Sequence, residues 1–284
     1  MTNKVLIIRF SSFGDIVQNM SCLRPLKNDL NAQVHWLTKS EFSNVLTMSD
    51  DIDHIISFDK RIGMSGLVKL AISLRAQNYT HIYDAHSNIR SLVVSTILRA
   101  FRSINFAKRS KDRIKRIFLF NFKINLFDWP FLGVVSYLKP IKSWINFKSK
   151  DTEFQLNSSF DSKITKHCDM LLHPLGSEFI AIAPSAAWQM KRWPIENWKQ
   201  LVSLNPKRKF AVLGGPADSF CQEIADIDPQ RVLNFAGQTS LIESCYISSK
   251  ASLVISADTG ILHVADLLGV KTLALIGPTA FGFP

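Results

Sequence analysis

Apolar runs of strand length alternate with helically spaced segments from the start of this chain, and the alternation occurs twice. KVLIIRF is a continuous apolar run. GDIVQNMSCLRPLKNDL then places Ile16, Met20, Leu23 and Leu26 at helical spacing. AQVHWLT reads as a second strand, and the segment from Glu41 to Met48 as a short helix. HIISF, GLVKLAISLRAQ, THIYDA and IRSLVVSTILRAF continue the order. A second run begins at EFIAIAPS and passes through the helix PIENWKQLVSL, with Pro194 suited to its first turn. It continues through the strands KFAVLGG, RVLNFAG, SLVISA and KTLALIG. Strand and helix in strict alternation predict a parallel sheet with helices on both faces. The expected fold is therefore α/β with two domains, 1–160 and 161–284. From Ser103 to about Asn157 the chain is instead rich in Lys, Arg and Phe. Strand signals are weak there, and FDWPFLGVVSYLKPIKSWI contains a helix.

Hydrophobic content of 46% and charged content of 20% exclude a disordered chain. The net charge of +11 points to an anionic partner: nucleic acid, a membrane surface or a phosphorylated substrate. Cys22, Cys168, Cys221 and Cys245 form no C-x-x-C, so neither a metal knuckle nor a disulfide scaffold is expected. Reduced thiols in a cytoplasmic protein fit them best. The N-terminus makes a poor signal peptide. No apolar run approaches the roughly 18 residues of a membrane span.

Four stretches carry candidate chemistry. In SADTGILHVADLLG, a strand leads into Asp258, Thr259 and Gly260, with His263 one turn along the helix. Free N–H groups and the dipole of a helix start bind phosphate. Gly260 would allow close approach and Thr259 offers a hydroxyl, whereas Asp258 would cap the helix or hold a sugar hydroxyl. The competing reading is an ordinary capped turn with a packed His. In RFSSFGDIV, Ser11, Ser12 and Gly14 make a small polar turn and Asp15 sits where the helix begins. Ligands of open α/β sheets bind at the carboxyl ends of strands, so Asp15 is either a general base or a helix-start acid favoured by the dipole. The stretch is not G-x-G-x-x-G, which disfavours a dinucleotide oxidoreductase.

In APSAAWQMKRWPIENW, a loop from Ser185 to Ala187 is followed by Lys191 and Arg192, just before the Pro-started helix. A Lys beside a helix N-terminus is unfavourable unless an anion joins them, so a diphosphate site outweighs a solvated Lys. Trp188, Trp193 and Trp198 read as core or lid. FRSINFAKRSKDRIKRIFLFNFK carries eight Lys and Arg against Asp112, interleaved with phenylalanines. It is a nucleic-acid surface, an anionic lipid surface or a solvated face over core phenylalanines. No RNP, helix-turn-helix or zinc signature accompanies it, so no nucleic-acid partner is expected.

Together these stretches resemble glycosyltransferase family 9, the ADP-heptose:lipopolysaccharide heptosyltransferases. The resemblance runs from KVLIIRFSSFGDIV, through YDAHSNIRS, PSAAWQMKRWPIENW and LGGPAD, to DTGILHVADLLGVKTLALIGPT. It implies the GT-B arrangement, two Rossmann-like domains facing across a cleft, with acceptor in the first and nucleotide sugar in the second. It implies inverting transfer from ADP-heptose to a lipopolysaccharide core acceptor, with no cofactor and no metal. Asp15 would match the base that deprotonates the acceptor, and Lys191 the residue that neutralises the diphosphate. Thr259 and Gly260 match the phosphate turn, and Asp258 and His263 the donor sugar. Asp218 stands where the family places an acid on the ribose, and Ser185 where members often have Gly. Ser12, Gly14, Lys60, Arg61 and Arg90 would face the acceptor, the last three holding phosphates of the core. The base would be read near Gly237 to Leu241. Such an enzyme would be cytoplasmic and peripheral at the inner face of the inner membrane. The family continues beyond this point with further elements, so a truncated sequence is expected. The same fold serves nucleotide-sugar epimerases, and the alternative function is a non-catalytic binder of nucleotide sugar or anionic glycolipid.

Overall fold

The computed structural model describes residues 3–128, 131–147 and 154–277. They divide into two compact units with the boundary between Asn157 and Ser158. The first contains five strands: β1 (Asn3–Ile8), β2 (Ala32–Lys39), β3 (His54–Phe58), β4 (His81–Asp84) and β5 (Asn105–Lys108). Its helices are α1 (Phe13–Asn19), α2 (Leu23–Asn28), α3 (Ser40–Leu46), α4 (Gly63–Leu74), α5 (Ile89–Arg99), α6 (Arg113–Phe122) and α7 (Gly133–Leu138). The second unit runs α8 (Ser162–Leu172), β6 (Phe179–Ala183), α9 (Ile195–Leu204), β7 (Lys209–Val212), α10 (Cys221–Ala225), β8 (Val232–Asn234), α11 (Leu241–Lys250), β9 (Leu253–Ala257), α12 (Gly260–Leu267) and β10 (Thr272–Leu275).

Both sheets are wholly parallel, as the alternation predicts. Their orders are β3-β2-β1-β4-β5 and β10-β9-β6-β7-β8. Counted from each unit's first strand these are one topology. In each, the order reverses between the first and fourth strands, at β1/β4 and at β6/β9. A crevice opens at the carboxyl ends of the strands at such a point.

The reason for the continuous apolar runs is burial. Successive side chains of a strand face opposite sides, and Val5, Leu6, Ile7 and Ile8 of β1 are all fully buried, so both faces of the sheet are covered. Leu6, Ile8 and Phe58 pack with Leu67 of α4 and Val94 of α5 in one core. Ile182, Val212 and Ile255 pack with Trp198 and Val202 of α9 in the other.

Three local differences from the sequence reading have physical causes. The single helix expected over GDIVQNMSCLRPLKNDL is α1 and α2 joined by a 3-10 turn at Met20–Cys22; Pro25 has no N–H to donate back to Ser21. Strand β5 lies inside the stretch of weak strand signal, because an edge strand of four residues buries only Ala107. Helix α8 escaped notice because it buries only Cys168 and Leu172. All four cysteines are buried free thiols. Among the described residues no helix is long and apolar enough to cross a membrane.

Candidate functional site

In the first unit, the polar turn after β1 is built around Asp15. Ser12 is the N-cap of α1, and both its N–H and its hydroxyl donate to Asp15 Oδ2, at 3.3 and 2.6 Å. Arg9, at the end of β1, pairs with the same oxygen at 2.6 Å and donates to the Ala85 carbonyl beyond β4 at 2.6 Å. The switch point β1/β4 is thus stitched by one guanidinium. The other carboxylate oxygen accepts from the Tyr137 hydroxyl at 2.6 Å. Tyr137 comes from α7, and its carbonyl accepts from the Tyr83 hydroxyl of β4 at 2.7 Å. The Arg109 guanidinium lies 3.8 Å from the Tyr137 ring centroid and donates to Ser136 Oγ at 2.9 Å.

This surrounding fixes the charge of Asp15. Burial raises its carboxyl, but the Arg9 guanidinium, and then hydrogen bonds from Ser12 and Tyr137, outweigh that and bring it down to about 2. The group is ionised at every ordinary pH. It is nevertheless about a third exposed, with 36% of its side chain reaching solvent. His86, after β4, behaves oppositely: burial first, then Arg9 and Lys111, push its imidazole down to about 4. It is neutral near pH 7 and brings no positive charge beside Asp15. Asp84 accepts from the His86 and Ser87 N–H groups and from Ser91 Oγ, which anchors the start of α5.

The acceptor candidates fall in three places. Ser12 is committed to Asp15, and Gly14 is the second residue of α1. Lys60 and Arg61 form a 3-10 turn after β3 and, with Lys39, Ser40, Glu41 and Asp59, line a pocket of about 360 Å³. That pocket is not purely cationic. Arg61 grips Asp59 through Nε and Nη2, at 2.8 and 2.5 Å, and Lys60 lies 3.8 Å from Glu41. Arg90 lies apart in sequence, exposed in the first turn of α5.

In the second unit, the switch point β6/β9 joins Lys191 to Asp258. Lys191 closes a 3-10 turn at Gln189–Lys191, and its ammonium is 2.5 Å from Asp258 Oδ2. Both side chains are mostly buried, which removes the reading of Lys191 as a solvated surface residue. The same contact corrects the capping role considered for Asp258: Thr259 is the N-cap of α12, with Gly260 as its first helical residue. Thr259 makes no side-chain cap, its hydroxyl lying 3.1 Å from Ser256 Oγ. A Lys ammonium is thereby held beside the amino end of α12, where N–H groups and dipole favour an anion. His263 is half-buried on the first turn of α12, and Ser185 half-buried in the loop after β6. Gly277 needs its missing side chain, because a Cβ there would lie 2.8 Å from the Met190 carbonyl and displace the Lys191 turn.

Asp218 is buried and accepts from the Gly215 N–H at 2.7 Å, so one carboxylate oxygen is used within its own turn. The other lies 3.7 Å from Arg192, whose Nε donates to the Ala186 carbonyl at 2.9 Å. Trp198 is core and Trp193 packs edge-on against it, whereas Trp188 is exposed. Gly237, where the base reading falls, has φ +71° and lies against Pro216, so its conformation is set by the backbone and not by a side chain. Among the described residues no group of three or more His, Cys, Asp or Glu side chains is placed to hold a metal.

Sequence reasoning missed Tyr137, Arg109 and His86, and gave Arg9 no role although it stands in the quoted stretch. Arg9 had a usable signal, since a buried-strand terminus carrying Arg needs an acid within reach. Tyr137 had none, being 122 residues from Asp15.

The two switch points thus hold a carboxylate in one unit and an ammonium at a helix start in the other. The lipopolysaccharide heptosyltransferase 1 of Campylobacter coli is 26% identical over 303 residues, spanning 97% of this chain and 84% of that protein. A family 9 glycosyl transferase from Veillonella parvula superposes with a TM-score of 0.79 at 17% identity, over 98% of this chain and 82% of that one. E. coli heptosyltransferase WaaC with ADP-2-deoxy-2-fluoro heptose gives 0.72 at 18% identity, over 97% and 89%. The family model described as glycosyltransferase family 9 (heptosyltransferase) matches residues 67–283, more than half of the sequence, and the chain therefore belongs to glycosyltransferase family 9.

Proposed function

We propose that this glycosyltransferase moves a heptose from ADP-heptose to a lipopolysaccharide core acceptor, with inversion at the anomeric carbon and without a metal. The observation that carries this reading is the Lys191–Asp258 pair at the amino end of α12. A sugar leaving a nucleoside diphosphate puts negative charge on the leaving oxygen, and a preorganised ammonium with helix N–H groups stabilises it. The acceptor oxygen bonds to the anomeric carbon as the bond to the diphosphate breaks, and ADP departs with the electron pair. The acceptor proton goes to Asp15.

Arg9 makes Asp15 a weak base in the ground state, so the proton moves late, once the attacking oxygen carries positive charge. Asp258 and His263 belong to the donor sugar in this reading. Lys60, Arg61 and Arg90 belong to the anionic acceptor, and Arg61 must release Asp59 to serve it. The similarity to WaaC, solved with an ADP-heptose analogue, supports the donor. Because the acceptor is lipid-anchored and the chain carries +11, we place the enzyme in the cytoplasm, peripheral at the inner membrane.

The direct test is calorimetric titration with ADP, UDP, GDP and ADP-heptose in the presence of EDTA, followed by transfer to a core acceptor. Selective binding of ADP and ADP-heptose is expected, with the α-linked or β-linked product opposite to the donor in configuration. Equal binding of all three diphosphates, a requirement for added metal, or retention of configuration would each overturn the corresponding part.

Tyr137 acts in this scheme as a positioning residue, since it touches Asp15 and not the reacting atoms. Tyr137→Phe removes one hydrogen bond to a carboxylate, worth about 1.5–3 kcal/mol in general and less at this partly exposed group. A fall in kcat/KM of roughly tenfold is expected. The acid limb of the pH profile should move to higher pH, because a donor that lowers the Asp15 carboxyl is gone. A lower rate with an unmoved acid limb would show that the ring only packs.

A further inference from the structure

We propose that α6 is an in-plane docking helix for an anionic lipid bilayer. This deepens the acceptor reading above and rests on it for its purpose, but its geometry stands alone. At 3.6 residues per turn, Ile114, Ile117, Phe118 and Phe122 fall on one face of α6. They are 70%, 50%, 37% and 62% exposed, although such residues ordinarily lie inside. The only buried residue of the helix is Leu119, beside the edge of that arc. Phe120 is 52% exposed as well, so the helix leaves every large apolar side chain except Leu119 open to its surroundings.

Charge identifies the occupant. Arg113 and Lys115 flank the apolar arc on either side, and no acid occurs between Arg113 and Lys123. An apolar face bordered by cations is the pattern of a helix lying at the boundary of headgroups and acyl chains, where anionic lipids add attraction. A second copy of this chain fits poorly, because a two-fold interface would set the same cations against each other. Nucleic acid fits less well, since Ile114, the most exposed side chain of the apolar arc, and Ile117 are aliphatic and offer no stacking platform.

Place in the fold gives the reason. Arg109, which stacks on the Tyr137 ring that in turn holds Asp15, lies four residues before α6. A helix seated in the bilayer would present the Asp15 turn to sugars that project from a lipid anchor.

The test is flotation of the purified chain with vesicles of phosphatidylglycerol and phosphatidylethanolamine, against vesicles of phosphatidylcholine alone. The wild type is expected to favour the anionic vesicles at least tenfold. Ile114→Ser/Phe118→Ser/Phe122→Ser should lower that binding at least tenfold, with ADP affinity unchanged. Arg113→Gln/Lys115→Gln should lose most of the preference for anionic lipid; this second variant leaves the apolar face intact should the first fold poorly. Transfer to a detergent-dispersed acceptor should be spared while transfer to acceptor in vesicles falls. Because flotation needs neither donor nor turnover, loss of the enzymatic reading would leave its outcome readable. Flotation of both variants at the wild-type level, no flotation of the wild type, a wild-type dimer that the serine variant makes monomeric, or tighter binding of an RNA oligonucleotide than of vesicles would each overturn the proposal.

Discussion

Asp15→Asn is expected to lower kcat by about two to four orders of magnitude, the range of a positioned general base, while ADP affinity stays within a factor of two. The substitution keeps the shape of the side chain but removes the charge that Arg9 meets at 2.6 Å. It also leaves a buried guanidinium without its counter-ion, so stability should fall, by about 1–2 kcal/mol after discounting for the exposure of the carboxylate. Rates must therefore be compared well below the variant's melting temperature. The acid response separates the two effects. Because the Asp15 carboxyl lies at about 2 in the fold, below its ordinary value of 3.8, the stability it supplies is complete above about pH 4 and is lost as pH falls toward 2. The stability gap between wild type and variant should thus narrow over that interval. A variant that transfers sugar at the wild-type rate would remove Asp15 from the chemistry and leave it as the keystone of the β1–α1 turn.

Lys191→Ala is expected to weaken ADP binding at least tenfold and to lower kcat by about two to three orders of magnitude, the usual cost of losing one preorganised donor to a developing oxyanion. Two effects combine. The ammonium that would meet the diphosphate is gone, and Asp258, only 13% exposed, becomes an unpaired carboxylate facing the same anion. Lys191→Ala/Asp258→Ala should consequently bind ADP better than Lys191→Ala alone. That non-additivity is the mark of two groups in one ion pair. Calorimetry on these two variants and on Asp258→Ala measures it. Unchanged ADP affinity in Lys191→Ala would place the diphosphate elsewhere in the second unit.

How much of this was legible beforehand follows from the range of the forces involved. KVLIIRF, AQVHWLT, EFIAIAPS and SLVISA announce strands because a parallel sheet covered on both faces demands unbroken apolar runs. Edge strand β5 and helix α8 bury one and two residues respectively, so little in their composition sets them apart. The turns holding Asp15 and Asp258 were visible because each lies directly after a recognisable strand, where a doubly wound sheet places ligands, and Lys191 because it stands between such a strand and the Pro-started α9.

What surrounds those residues was not visible. Two parallel α/β units, their strand-end turns and the residue types in them follow from local periodicity and from neighbours a few positions apart. Folding alone sets Tyr137 on Asp15 across 122 residues and Lys191 on Asp258 across 67. It alone decided that Arg61 is spent on Asp59, and that the phenylalanines of α6 face outward. The physical reason is common to all four. A charge or an aromatic ring in a sequence states what a side chain is able to do, and its partner is chosen by the packing of elements far apart in the chain.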